Sequence, residues 1–214
     1  MIAELLVDVE AHLVAALGEV RGRAAVTFVG TDQVEVLRFG SSGHSGSSGH
    51  SGSWGHSGSW GHSGGGHDAV RYATLGMARY PMTDPAELAA APDQGPRAEL
   101  LLTLNEPRDD VFRRLAVLAM TPAVEGLVVA PGASLDLTEP LWDGAGFSAV
   151  LVGSPGGLVE DVAGPYPVQF FPLFPMTPAE TAWRRVHGAE ALEARWLAEG
   201  TDLRDPSRRA VSLA

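Results

Sequence analysis

Apolar residues at helical spacing open the chain. They recur every three or four positions from residue 2 to residue 17, and Gly18 follows where a C-terminal cap is expected. Their positions are Ile2, Leu5, Leu6, Val9, Leu13 and Leu17. From residue 24 the pattern becomes β-prone, is interrupted by the turn-like residues 30–32, and resumes through Phe39. Residues 1–40 therefore predict an amphipathic helix followed by a β-hairpin.

Short apolar runs bounded by Gly and Pro continue the β pattern after residue 68. They predict strands at 70–76, 97–104, 126–130, 147–152 and 168–173. A helix is predicted between the second and third of these runs. Pro107 and the acidic residues Asp109 and Asp110 suit its first turn, and its apolar positions include Val111 and Leu115.

A capping box predicts the start of the C-terminal helices. Residues 177–180 read Thr-Pro-Ala-Glu, with Pro at the first helical position and Glu three residues after the cap. The helix is expected to run to His187, to break at Gly188 and to continue to residue 199. Trp183 and Trp196 fall in its apolar pattern and are predicted to dock it on the sheet. The Arg- and Asp-rich tail, residues 201–214, is expected to fray.

A six-residue repeat of Gly, Ser and His occupies residues 41–67. It contains almost nothing that could enter a core, and Gly and Ser maximise the entropy that ordering would remove, so a disordered insertion is predicted. Its histidines could collect on Zn or Ni, which leaves a metal-buffering protein as an alternative. These are His44, His50, His56, His62 and His67. No carboxylate or Cys within the repeat completes a site, so neither a metal nor a cofactor is expected.

The remaining chain suits one domain. Its 214 residues are 45% hydrophobic, enough to bury a sizeable core. The pattern of strands and helices predicts an α/β protein of the α+β kind, with a mixed β-sheet flanked by helices. We expect residues 1–40 and 68–200 to form that domain, interrupted by the insertion.

Charge and composition exclude several functions. The 15 basic residues, all Arg, oppose 26 acidic ones, and the net charge of −11 disfavours binding of nucleic acid. Without Cys there is no thiol chemistry. The N-terminus resembles no secretory signal and no stretch suggests a membrane span, so a cytoplasmic protein is predicted. No convergent nucleophile, base or metal set is evident, which predicts a protein that is not an enzyme; an enzyme with an unrecognised site is the alternative.

Several segments, taken in order, resemble the suppressor-of-fused-like domain family. They are residues 72–77, 98–102, 111–119, 126–129 with Pro131-Gly132 and Leu141-Trp142, 147–152, 168–173 and 176–180. The sequence departs from the family pattern in three respects. Ala78 stands where Ser is common, and the insertion follows the hairpin. The resemblance also covers only one of the two domains of animal members. A bacterial member of the family is predicted.

The resemblance implies a protein-binding role. Bacterial members often occur in toxin-immunity contexts, so neutralisation of a toxin is the favoured version, and the negative charge would suit a basic partner. The binding surface is predicted around the loop that follows strand 70–76 and along the adjoining strand, because it combines an aromatic ring with both charge signs. The candidate residues are Arg79, Tyr80, Asp84, Asp93, Arg97 and Glu99. Glu99 is expected to be half-buried and paired with an Arg. The oligomeric state stays open.

Overall fold

The structure is a computed structural model, and it describes residues 2–27, 33–40, 69–83 and 95–213. Its helices are α1 (Ile2–Leu17), α2 (Asp110–Glu125), α3 (Pro178–His187) and α4 (Ala189–Ala198). Its strands are β1 (Val20–Thr27), β2 (Gln33–Phe39), β3 (Val70–Leu75), β4 (Arg97–Leu104), β5 (Ser134–Asp136), β6 (Ala149–Val152) and β7 (Val168–Met176). A 3₁₀ turn, Met77–Arg79, follows β3.

All seven strands join one mixed sheet in the order β1-β2-β3-β4-β7-β6-β5. β4 and β7 are parallel, with Arg97 opposite Val168, whereas every other neighbouring pair is antiparallel. The predicted mixed sheet flanked by helices is confirmed. The long connection through α2, β5 and β6 is what allows β7 to return parallel to β4.

Alternate residues of the central strands bury against different helices. Val36 and Leu100 pack in the cluster that contains α2, while their neighbours Leu37 and Leu101 pack in the cluster that contains α1. Because side chains alternate across a pleated strand, α1 and α2 cover opposite faces of the sheet. Burial on both faces explains why β4 reads as an almost continuous apolar run.

The C-terminal helices pack on the far end of the sheet. Trp196 and Leu192 of α4 are buried against residues of β6 and β7. The predicted capping box is present: the Thr177 hydroxyl accepts from the Glu180 amide at 3.3 Å, and the Glu180 carboxylate accepts from the Thr177 amide at 2.8 Å. Gly188 separates α3 from α4 as the sequence predicted.

The tail does not fray through residue 213, contrary to the expectation from its composition. Leu203 and Val211 are buried against α4 and the sheet. The Arg208 guanidinium binds the buried Glu180 carboxylate at 2.7 Å, and Trp196 Nε1 and the Val211 amide donate to the same carboxylate. The tail is held because Glu180, once buried, needs a cation and several donors.

The prediction of a strand at residues 126–130 is wrong. Gly126 adopts a left-handed conformation (φ 65°) that ends α2, and its amide donates to the Pro122 carbonyl. The next residues, 127–130, belong to no strand of the described sheet, and the Val129 amide donates to Met82 Sδ. The strand of this region is β5, a few residues further along.

The predicted insertion lies outside the described residues, as does the turn at 30–32. The disorder of the insertion, its metal binding and the proposed domain boundaries therefore stay predictions. Among the residues that the structure does describe, no helix is long and apolar enough to cross a membrane.

Candidate functional site

β3 and β4 separate beyond the pair Ala73–Leu101, and side chains fill the gap between them. The Thr74 hydroxyl accepts from the Leu100 amide at 2.8 Å and donates to the Glu99 carboxylate at 2.5 Å. Thr74 thus satisfies an amide that the sheet ladder would otherwise have paired. The gap leaves room for the 3₁₀ turn that follows β3.

Two residues of β4 hold this turn. Glu99 accepts from the amides of Gly76 and Ala78 at 2.8 and 3.0 Å. Arg97 Nη1 donates to the carbonyls of Ala78 and Arg79 at 2.8 and 2.6 Å. Because Arg97 and Glu99 are two residues apart, their side chains share one face of the strand. The turn is therefore fixed by a carboxylate at its amides and a guanidinium at its carbonyls.

Glu99 differs from its predicted environment. It is 0% exposed, and its carboxylate accepts from the Thr74 hydroxyl and from backbone amides, so among the described residues the expected ion pair with an Arg is not formed. The turn supplies the donors that an Arg was expected to supply. Burial raises the pKa of Glu99 above its usual value, while the hydrogen bonds from Thr74 and the turn act in the opposite direction.

A groove of about 510 Å³ opens beside the turn. Its walls are the turn and the residues after it, the start of β2, and the last turns of α2. The lining residues are Gln33, Val34, Gly76, Met77, Tyr80, Pro81, Met82, Ala119, Met120, Pro122 and Ala123. Gly76 is required at the bend, because its φ is +129° and a Cβ there would lie 3.1 Å from the Gln33 carbonyl oxygen.

Tyr80 is the exposed aromatic residue of this groove. Its side chain is 52% exposed, whereas Met77 and Met82 below it are nearly buried. The Met82 amide donates to the Pro96 carbonyl at 2.8 Å, which ties the segment after Tyr80 to the start of β4. The groove thus combines a backbone held by hydrogen bonds, flexible methionine side chains and, at its rim, the aromatic ring of Tyr80.

The structure brings together four of the six residues predicted for partner binding. Arg79 and Tyr80 lie on the turn, while Arg97 and Glu99 lie beneath it at 8% and 0% exposure. In this conformation the last two support the surface without forming it. Asp84 and Asp93 lie outside the described residues, and their role stays a prediction.

The sequence did not indicate the methionines or the contribution of α2. Met77, Met82 and Met120 are three of the five methionines in the chain. Met120 is distant in sequence from the turn, and in the helical pattern it looked like an ordinary core residue. Only the packing of α2 against β2 and β3 places it at the groove.

The groove's described lining contains no carboxylate, imidazole, thiol, amine or guanidinium. Within residues 2–27, 33–40, 69–83 and 95–213, no group of three or more His, Cys, Asp or Glu side chains could hold a metal ion. What the lining offers is apolar contact area, exposed Tyr80 and main-chain polar groups. Such a lining suits the binding of apolar side chains.

Comparison with solved structures supports the assignment of the fold. A suppressor-of-fused homologue from Neisseria gonorrhoeae superposes with a TM-score of 0.65 at 14% identity, covering 99% of both chains. A chain of the Sufu–Fu complex gives 0.63 at 11% identity, covering 96% of this chain and 91% of that one. Drosophila Suppressor of Fused gives 0.51 at 12% identity over 67% of this chain, which spans 39% of the Drosophila one.

No curated protein matches the sequence. The family model of the suppressor of fused protein matches residues 32–209, which include the turn, the groove and the first part of the tail. Since this match extends over most of the sequence and agrees with the fold, the chain belongs to the suppressor of fused family.

Proposed function

We propose that this chain binds another protein without catalysing a reaction, and that the groove beside Tyr80 is the contact surface. The observation that carries the proposal is an exposed Tyr at the rim of a methionine-lined groove, on a turn held by Glu99 and Arg97. A rigid backbone lowers the entropy lost on binding, and Tyr is enriched among binding hot spots.

The solved structures support this role by analogy alone. One of the similar chains belongs to a Sufu–Fu complex, which is an assembly of that protein with a partner. At 11% sequence identity the likeness supports a common fold, but it does not indicate which partner this chain binds.

The favoured partner is a basic toxin that this chain neutralises. The net charge of −11 would attract a cationic protein and would speed its association. The described part of the groove's lining, which is uncharged, would then accept an apolar side chain at the centre of the contact. A polar rim around an apolar centre is the usual arrangement of a protein interface.

Photocrosslinking tests the surface directly. Benzoylphenylalanine is placed at position 80 and, as the matched control, at position 197, since Leu197 is 64% exposed on α4. In cells of the source organism we expect one crosslinked partner from position 80 and none from position 197. Equal capture by both variants, or capture at position 197 alone, would remove the groove from consideration.

Co-expression then tests the toxin version. The captured protein should arrest growth when it is expressed alone, and co-expression of the wild-type chain should relieve the arrest. The Tyr80→Ala variant should relieve it less effectively. A captured protein that is harmless by itself would contradict the toxin version while leaving protein binding in place.

A further inference from the structure

Arg71 occupies an unusual position on β3. It lies opposite Phe39 of β2 and Thr103 of β4, on the sheet face that α1 covers. Its side chain is half-buried, and Nε is shielded from solvent with no hydrogen-bond partner. Among the described residues, the guanidinium forms no hydrogen bond and no ion pair. A nitrogen shielded from water without a hydrogen bond is unfavourable, because burial removes water without replacing it.

A second Arg approaches the same place from the tail. The Asn105 amide, two residues beyond Thr103, donates to the Arg204 carbonyl at 2.9 Å and so fixes the tail beside the end of β4. The Arg204 guanidinium binds Asp202 at 2.9 Å. Asn105 Nδ2 also donates to Asp202, at 3.0 Å. Arg204 is therefore neutralised by its own neighbour, while Arg71 is not.

The charges near Arg71 leave a local positive excess. Burial lowers the pKa of Arg71, and the positive charge of Arg204 lowers it further. The local charge of Arg71, Arg204 and Asp202 together is one positive unit. Across the whole chain the net charge is −11, so this local excess is opposite in sign to the net charge of the chain.

We propose that Arg71, with Arg204 beside it, is a binding site for a carboxylate. A guanidinium presents a planar fork of donors that matches the two oxygens of a carboxylate. One carboxylate would neutralise the single excess charge, whereas a phosphate dianion would overcompensate it next to Asp202. The site lies at the start of β3, and the Tyr80 groove follows the end of that strand. It is therefore separate from the groove and does not depend on the proposed function.

Thermal unfolding with sodium acetate as the probe tests the site. At pH 7 the melting temperature is compared between sodium acetate and sodium chloride at equal ionic strength. We expect a saturable increase with acetate in the wild type, and an increase in apparent Kd of at least about tenfold in Arg71→Gln. Arg21→Gln is the matched control, since Arg21 is exposed and pairs with Glu19, and it should respond like the wild type. Arg71→Met replaces the Gln variant if that one does not fold.

Two further measurements complete the test. The first identifies the source of the carboxylate, and the second examines whether Arg71 instead pairs with a carboxylate of this chain. Short peptides with either a free C-terminus or an Asp side chain are compared with acetate. An apparent Kd at least about tenfold lower for a peptide than for acetate assigns the site to a protein carboxylate, and equal apparent Kd values assign it to small carboxylates. Asp68 lies outside the described residues, and Asp68→Asn tests internal pairing. A response that appears only in Asp68→Asn, equal responses to acetate and chloride, or an unchanged response in Arg71→Gln would each overturn the proposal.

Discussion

Arg97 and Glu99, two residues apart on β4, bind opposite polar groups of the same 3₁₀ turn. Glu99 accepts from the amides of Gly76 and Ala78, and Arg97 donates to the carbonyls of Ala78 and Arg79. The guanidinium also lies 5.2 Å from the centre of the Tyr166 ring. This arrangement makes the groove wall a part of the core, since its backbone is held by side chains that are themselves buried.

Glu99→Gln should change how stability depends on pH. Burial raises the pKa of Glu99 in the folded state above its usual 4.5. Its contribution is therefore fully present below the unfolded-state pKa and is lost as pH rises from there through the raised folded-state pKa. Urea unfolding between pH 4.5 and 7 should show wild-type stability decreasing relative to the variant. The exposed Glu106→Gln is the matched control. A relative increase with pH would mean that the hydrogen bonds to the carboxylate outweigh its burial.

Tyr80→Ala should weaken partner binding by about 1 kcal/mol or more, because an exposed aromatic at a groove rim is a typical hot spot. Its effect on unfolding should stay within about 0.5 kcal/mol, since the ring is half in solvent. Arg97→Ala should weaken binding as well, but through a loosened turn and with a measurable loss of stability. Titration calorimetry with the captured partner measures both variants, and Leu197→Ala serves as the control. Wild-type affinity in Tyr80→Ala would exclude the groove.

Arg208→Ala should destabilise the fold by about 3 to 5 kcal/mol, because it leaves the Glu180 carboxylate buried without a cation. Burial would raise the pKa of Glu180, but Arg208, the Thr177 amide and Trp196 together lower it. This stabilisation is present above about pH 4.5 and is lost as pH falls towards the folded-state pKa. Denaturant titrations at pH 7 and pH 3 measure it, and the variant's deficit should shrink at pH 3. The adjacent Arg209→Ala should have little effect, since Arg209 is exposed.

The two tryptophans of the C-terminal helices should differ in their contribution to stability. Trp196 is 0% exposed and donates to Glu180, so Trp196→Ala should cost about 3 to 5 kcal/mol. Trp183 is only half-buried and stacks on His187 at 4.2 Å, so Trp183→Ala should cost about 1 kcal/mol. Equal losses in chemical denaturation would contradict this ranking.

Replacing residues 41–67 with a short Gly/Ser loop should leave the melting temperature nearly unchanged. The segment offers little apolar surface to offset the entropy of ordering it. Differential scanning calorimetry of the two proteins measures the effect. A decrease of more than several degrees would show that the segment packs on the domain.

Local patterns in the sequence were sufficient to predict most elements. The apolar run of β4 and the capping box at Thr177 each depend on neighbours in the chain, so the sequence alone identified the strand and the start of α3. The prediction of a strand at residues 126–130 was wrong because a short apolar run bounded by glycine does not by itself distinguish a strand from a connecting segment that buries one residue, here Val129.

The tertiary structure decided which distant residues bind the buried carboxylates. The sequence indicated that Glu99 needed a partner. Because β3 separates from β4, the amides of the turn reach the carboxylate and take the place of the expected Arg. The tail looked like solvated charge, yet Arg208 is separated from Glu180 by the whole of α4 and binds it within the core. The sequence by itself thus determined most of the elements, because these follow from local spacing, and the family was indicated by a resemblance over several segments taken in order. The groove and the buried polar contacts were set by how distant segments pack, which periodicity does not encode.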